Sequence, residues 1–192
     1  MIIYLIRHGE TTGDIEDRYG GDYDDHLTEK GLKQAKDLAE KLKEKEIQII
    51  FSSPRIRARE TAEIVNKILN VKIDFVNNLR ERNNYGFLTG LIKAEAKKKY
   101  PEEVKKLEKD GLRHNVTKSE NYEIFKARIV NAFERILNSN YDTVAIITHS
   151  GPVRCIVREV LKLGEIGHLE DCEILKIKKE DSRLYLVRTN KS

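Results

Sequence analysis

The chain begins with a short apolar run of branched side chains, Met1 to Ile6, that delivers Arg7 and His8 at its end, followed by Gly9 and Glu10. Such a run reads as a strand buried in a parallel sheet, and in open α/β sheets ligands sit beyond the carboxyl ends of the strands. Arg7 and His8 fall there. A guanidinium fork can hold an oxyanion in two directions, and an imidazole beside it can act as nucleophile or as acid and base. Taken alone, the dipeptide fits a surface pair at a strand end equally well.

Residues 144–154, Val-Ala-Ile-Ile-Thr-His-Ser-Gly-Pro-Val-Arg, repeat the layout: an apolar run, then His149, then a turn of small residues opening a helix. A third run, Ile47 to Phe51, leads into Ser52-Ser53-Pro54 and a helical segment carrying Arg55, Arg57 and Arg59. Pro54 suits a first helical turn. Arg55 and Arg59 lie one turn apart on a face with which Arg57 does not align, so at most one or two of the three can enter a common site. The others are expected in solvent.

Strands are predicted at 1–6, 46–51, 72–76, 143–148, 172–178 and 183–188. Helices are predicted from a Thr28 cap to about Lys45, over 55–70, over 120–137, and from Pro152. This alternation predicts a three-layer α/β/α sandwich around a mostly parallel sheet. With 192 residues, 39% of them hydrophobic, the chain suits one domain spanning 1–192. It shows no long apolar span or secretory segment, so a cytoplasmic protein outside the membrane is expected. Residues 80–118, charged helical material around Pro101, interrupt the alternation; a cap-like insertion over the site and a solvated excursion both fit that composition. Lys and Arg total 36 against 32 Asp and Glu, interspersed along the chain, which favours an anionic small molecule over nucleic acid as the partner. Cys155 and Cys172 read as reduced, buried small hydrophobes. His26, His114 and His168 lack the spacing of metal ligands, and no metal is expected.

Four stretches in order, RHGETTGD, SSPRIRARETA, LRERNNYGFLTG and THSGPVR, make the chain similar to the histidine phosphatase superfamily, the phosphoglycerate mutase-like group, from Met1 to about Asn190. The resemblance implies that His8 is the nucleophile, that Arg7, Arg57 and His149 hold the phosphoryl group, and that Glu81 is the acid. Without it, Glu81 between Arg80 and Arg82 would read as an ordinary solvated carboxylate. It further implies substrate contacts at Gly9, Ser150, Tyr85 and Lys93. The chemistry is coherent. A phosphoryl group in transfer spreads charge over its equatorial oxygens, which Arg7, Arg57 and a protonated His149 would surround. His8 must be neutral, attacking through one ring nitrogen while the other keeps its proton on a carbonyl of the glycine turn. A carboxyl tuned toward neutrality can protonate the leaving alkoxide and then deprotonate water, the role expected of Glu81.

The departures from the mutases bear on substrate. Their paired arginines align with Glu108 and Lys109, their tryptophan with Gly13, and the asparagine of most relatives with Asp14. The family glycine after the late histidine is Ser150, and its Gly-Glu-Ser is Ser119-Glu120-Asn121. A phosphatase acting on a small phosphorylated metabolite without cofactor is therefore expected. The alternative is a phosphoglycerate mutase, which alone would use 2,3-bisphosphoglycerate; a non-catalytic phosphometabolite-binding module is the second alternative. The natural substrate and a homodimeric state are left open.

Overall fold

The computed structural model describes residues 1–111, 114–181 and 183–187. Six strands form one sheet: β1 (Ile2–Arg7), β2 (Ile49–Ser52), β3 (Lys72–Phe75), β4 (Thr143–Thr148), β5 (Ile174–Glu180) and β6 (Arg183–Val187), in the order β3-β2-β4-β1-β5-β6. The first four are parallel, and β5 and β6 join antiparallel at one edge. All six predicted strands are present; Arg188, the predicted end of the last, lies outside the described residues. The helices are α1 (Thr12–Ile15), α2 (Glu29–Leu42), α3 (Ile56–Leu69), α4 (Lys93–Lys99), α5 (Pro101–Asp110), α6 (Tyr122–Leu137) and α7 (Ser150–Cys155), the last running on into a π turn over Ile156–Val160.

Local sequence explains these elements. Thr28 caps α2 by accepting the Gly31 N–H, and the helix buries Ala35, Leu38, Ala39 and Leu42, one stripe at helical spacing. In α6, capped by Asn121, the stripe is Phe125, Ile129, Ala132, Phe133 and Ile136. Alternate strand residues feed two cores. Tyr4, Ile6, Ile50, Ala145 and Ile147 meet α2 and α3 on one face, while Ile3, Leu5, Val144 and Ile146 meet α6 and α7 on the other. The result is the α/β/α sandwich.

A third cluster joins Tyr19 to Leu88, Ala96, Val104, Leu107 and Val116. Residues 86–93 are stitched to 17–19 by backbone bonds such as Tyr19 N–H to Leu91 O, at 2.9 Å, and Gly90 N–H to Tyr19 O, at 2.8 Å. The 80–118 stretch thus packs behind the loop after α1. Cys155 and Cys172 are free thiols, buried and half-buried, and burial pushes Cys172 up to about 12. Among the described residues no helix is long and apolar enough to cross a membrane.

Candidate active site

The register of the two central strands creates the site. Arg7 on β1 stands opposite Thr148 on β4, so the next residues, His8 and His149, leave the sheet side by side. His8 N–H still donates to Thr148 O at 2.9 Å, and the two rings meet edge to face with centroids 5.0 Å apart. Both imidazoles are buried.

Arg57, in the first turn of α3, closes the group. Its Nε–H is shared between His8 Nε2 and His149 Nδ1, each 3.1 Å away. A guanidinium can only donate, so both of those ring nitrogens carry a lone pair. His8 Nδ1 lies 2.8 Å from Gly9 O, a carbonyl that can only accept, which fixes its proton on Nδ1. The neutral nucleophile with a proton held on the glycine turn is the arrangement expected from the sequence. His149 Nε2 lies 2.8 Å from Ser53 Oγ and carries the second proton there.

The expected protonated His149 is corrected by this geometry. Burial and the adjacent Arg57 charge hold both imidazoles well below the ordinary histidine value, and the lone pairs turned to Arg57 leave each ring neutral here.

Arg7 donates to Leu169 O at 2.6 Å and pairs with Asp171 at 3.1 Å, while its Nε is buried without a hydrogen-bond partner among the described residues. That orphan donor suits an anion. Arg55 is half-buried and bonded to Asp22 at 2.6 Å and Asp24 at 3.1 Å, so the expectation that it would be merely solvated fails: the acidic loop reaches it. Arg59 is exposed and stacks on Phe75.

Glu81 is buried at the N-terminus of α7. Its Oε2 accepts from Gly151 N–H at 2.9 Å and from Ser150 Oγ at 3.3 Å, and its Oε1 accepts from Arg82 N–H at 2.7 Å. The helix starts at Ser150, two residues before Pro152, which leaves the first-turn N–H of Gly151 free to point at the carboxylate. A Cβ on Gly151 would stand 2.0 Å from Glu81 Oε1, so this close approach requires glycine. Arg128 on α6 holds the segment before it, donating to the carbonyls of Asn78, Arg80 and Glu81 while gripping Glu120 with both ends of its fork.

A cavity of about 110 Å³ opens onto Arg7, His8, Arg57, Glu81 and Ser150. Gly9 backs it through its bonds to His8 and, from its N–H, to Thr61 Oγ1 at 3.2 Å. Asp14 is on the rim, but its Oδ2 accepts from the Thr11 N–H and hydroxyl, both at 2.9 Å, in a capping box at α1. Tyr85 and Lys93 are not among the wall residues. Tyr85 packs on Tyr19 at 5.0 Å, and Lys93 pairs with Asp17. Among the described residues of 80–118, only Glu81 reaches the wall. Sequence reasoning missed Asp25, Tyr23, Arg18 and Ser53; only the rule that a buried arginine needs a carboxylate pointed toward Asp25, and Asp22 and Asp24 met it equally well. A larger groove, about 460 Å³ between β3 and α6, holds neither histidine.

Comparison with known proteins decides the family. The model of the histidine phosphatase superfamily, branch 1, matches residues 3–192. The chain belongs to the histidine phosphatase superfamily. It is a phosphoric monoester hydrolase of the phosphoglycerate mutase-like type. Over 193 residues it is 26% identical to putative phosphoserine phosphatase 2 of Hydrogenobacter thermophilus, spanning 98% of this chain and 95% of the relative. It is 30% identical to metal-independent phosphoserine phosphatase of Arabidopsis thaliana, over 94% of this chain and 77% of the relative. Its fold matches the crystal structure of phosphoglycerate mutase from Bacillus anthracis with a TM-score of 0.83 at 23% identity, covering 98% of this chain and 92% of that one.

Proposed function

We propose that this histidine phosphatase hydrolyses a small phosphomonoester through a phosphohistidine on His8. The observation that carries the reading is the pair of bonds on His8: a proton held by Gly9 O and an unprotonated Nε2 facing Arg57 and His149. Nε2 attacks phosphorus and forms the P–N bond as the ester P–O bond breaks, with Glu81, which enters this step protonated, supplying the proton that the departing alkoxide takes. Water then attacks the phosphohistidine, gives its proton to Glu81 and releases phosphate. Arg57 and the Nε of Arg7 balance the charge on the equatorial oxygens, and His149, fixed by Ser53 and Arg57, stands edge-on to the attacking ring. Gly9 and Ser150 contribute by orienting His8 and Glu81.

The relatives named as phosphoserine phosphatases make phosphoserine the first substrate to try. A phosphatase rather than a mutase is supported by Glu108, which pairs with Lys97 at 2.8 Å on the exposed faces of α4 and α5, at the position where a mutase would carry an arginine. Phosphorus NMR of the protein with 3-phosphoglycerate and a trace of 2,3-bisphosphoglycerate, beside a phosphate-release panel led by phosphoserine, tests this. Release of free phosphate without 3-to-2 interconversion is expected; rapid interconversion with little release would establish the mutase instead.

A further inference from the structure

Asp25 brings a buried carboxylate to the site that the chemistry above does not use. Its side chain is only 6% exposed; Oδ1 accepts from Arg57 Nη1 at 2.8 Å and Oδ2 from the Tyr23 hydroxyl at 3.2 Å. Gly13 makes this possible. A Cβ there would lie 1.9 Å from the Tyr23 hydroxyl oxygen and 2.7 Å from Asp25 Oδ2, so any side chain at 13 would displace the pair.

The same loop takes up the rest of the guanidinium. Nη1 also donates to Tyr23 O at 2.6 Å, Nη2 donates to Gly21 O at 2.9 Å, and Nε–H is divided between the histidines. Of the five N–H hydrogens of Arg57, one on Nη2 is left over. Arg7 differs: its carboxylate partner, Asp171, holds one end of the fork and leaves Nε open. Arg7 can therefore receive an anion without breaking a bond, whereas an anion reaching Arg57 meets a guanidinium whose charge is already balanced.

We infer that Asp25 is a built-in anion that competes with the substrate's phosphoryl group for Arg57, and so weakens the hold of the site on phosphate. The inference rests on Arg57 being a phosphoryl-binding arginine. Two anions sharing one guanidinium repel across a few ångströms of protein, where unit charges interact far more strongly than in water. An enzyme that must release phosphate gains from such repulsion, because binding the product as tightly as the transition state does nothing for turnover. Asp25 also keeps Arg57 aligned on the two histidines before substrate arrives. It is a positioning residue with an electrostatic effect on affinity.

Two variants separate charge from shape. Asp25→Asn keeps an oxygen for Nη1 and the Tyr23 contact but removes the charge; Asp25→Ala removes both. Isothermal titration with inorganic phosphate and with orthovanadate, together with p-nitrophenyl phosphate kinetics and thermal melts, reads the outcome. Asp25→Asn should bind both anions roughly tenfold more tightly. Asp25→Ala should also bind them more tightly but lose kcat as Arg57 drifts. Anion affinity that is unchanged or weaker in both variants, whatever happens to Tm, overturns the inference and leaves Asp25 a structural prop. Phosphate binding by the unmodified protein without any phosphatase turnover would instead count against the proposed function, and the same titrations would still decide the role of Asp25.

Discussion

Arg57→Ala should damage stability and catalysis by separable amounts. The side chains of Arg57 and Asp25 are 4% and 6% exposed, so truncating the arginine leaves a buried carboxylate whose remaining bond is to the Tyr23 hydroxyl. Breaking a buried pair from one side costs about 3–5 kcal/mol, and the lower end applies because the adjoining cavity lets water approach the orphan. In a chain of this size, about 3 kcal/mol corresponds to a fall in Tm of roughly 6–12 °C, read by circular dichroism. Turnover of p-nitrophenyl phosphate should fall by roughly 10²–10³, the usual loss for one preorganised donor. Adding Asp25→Ala to Arg57→Ala should recover much of the Tm and none of the turnover, because it removes the orphaned charge without restoring the donor. Arg59→Ala, stacked on Phe75 away from the histidines, should stay within a few-fold of the unmodified rate. Equal losses at positions 57 and 59, or recovered turnover in the double variant, would refute the assignment of Arg57.

Two further outcomes follow from the same geometry. Glu81→Gln should reduce hydrolysis of alkyl phosphates far more than of p-nitrophenyl phosphate, whose leaving group needs little help from an acid; equal damage to both would remove Glu81 from that role. Stability should fall on acidification. His8 and His149 are held well below the ordinary value when folded, so below about pH 6.5 the unfolded chain binds protons that the folded one refuses. This contribution is intact above that pH and is lost as pH falls toward the folded values, by up to about 1.4 kcal/mol per pH unit for each histidine. Melts between pH 7.5 and 5 should show this slope, and His149→Gln should reduce it; a slope unaffected by the substitution would mean that the imidazoles are not held neutral.

The elements that place the site could be read from the sequence because their signals are local. Branched apolar runs end at Arg7-His8 and at His149, a Thr28 cap opens α2, Pro54 announces α3, and the periodic stretch over 120–137 marks α6. That the two histidines become neighbours follows from β1 and β4 pairing in register, which no run by itself encodes. Single-residue pairings at long range were illegible. Asp22, Asp24 and Asp25 sit within four positions, and only the path of the loop sends Asp25 to Arg57 and the other two to Arg55. His149 was expected to be charged as one of the donors surrounding the equatorial oxygens of the phosphoryl group. Burial and the shared Arg57 N–H decide otherwise, and both depend on tertiary packing. Lys93 was proposed from alignment alone, and its exposed ammonium is taken by Asp17, a residue that only the fold brings near.

The central claim is that His8 Nε2 forms the covalent bond to phosphorus. Rapid quenching of the protein during turnover of a phosphorus-labelled phosphomonoester, followed by mass analysis of the peptides, tests it directly. The account predicts acid-labile, base-stable phosphate on the peptide containing His8, and neither label nor turnover in His8→Ala. Label on another residue, or full turnover in His8→Ala, would contradict it.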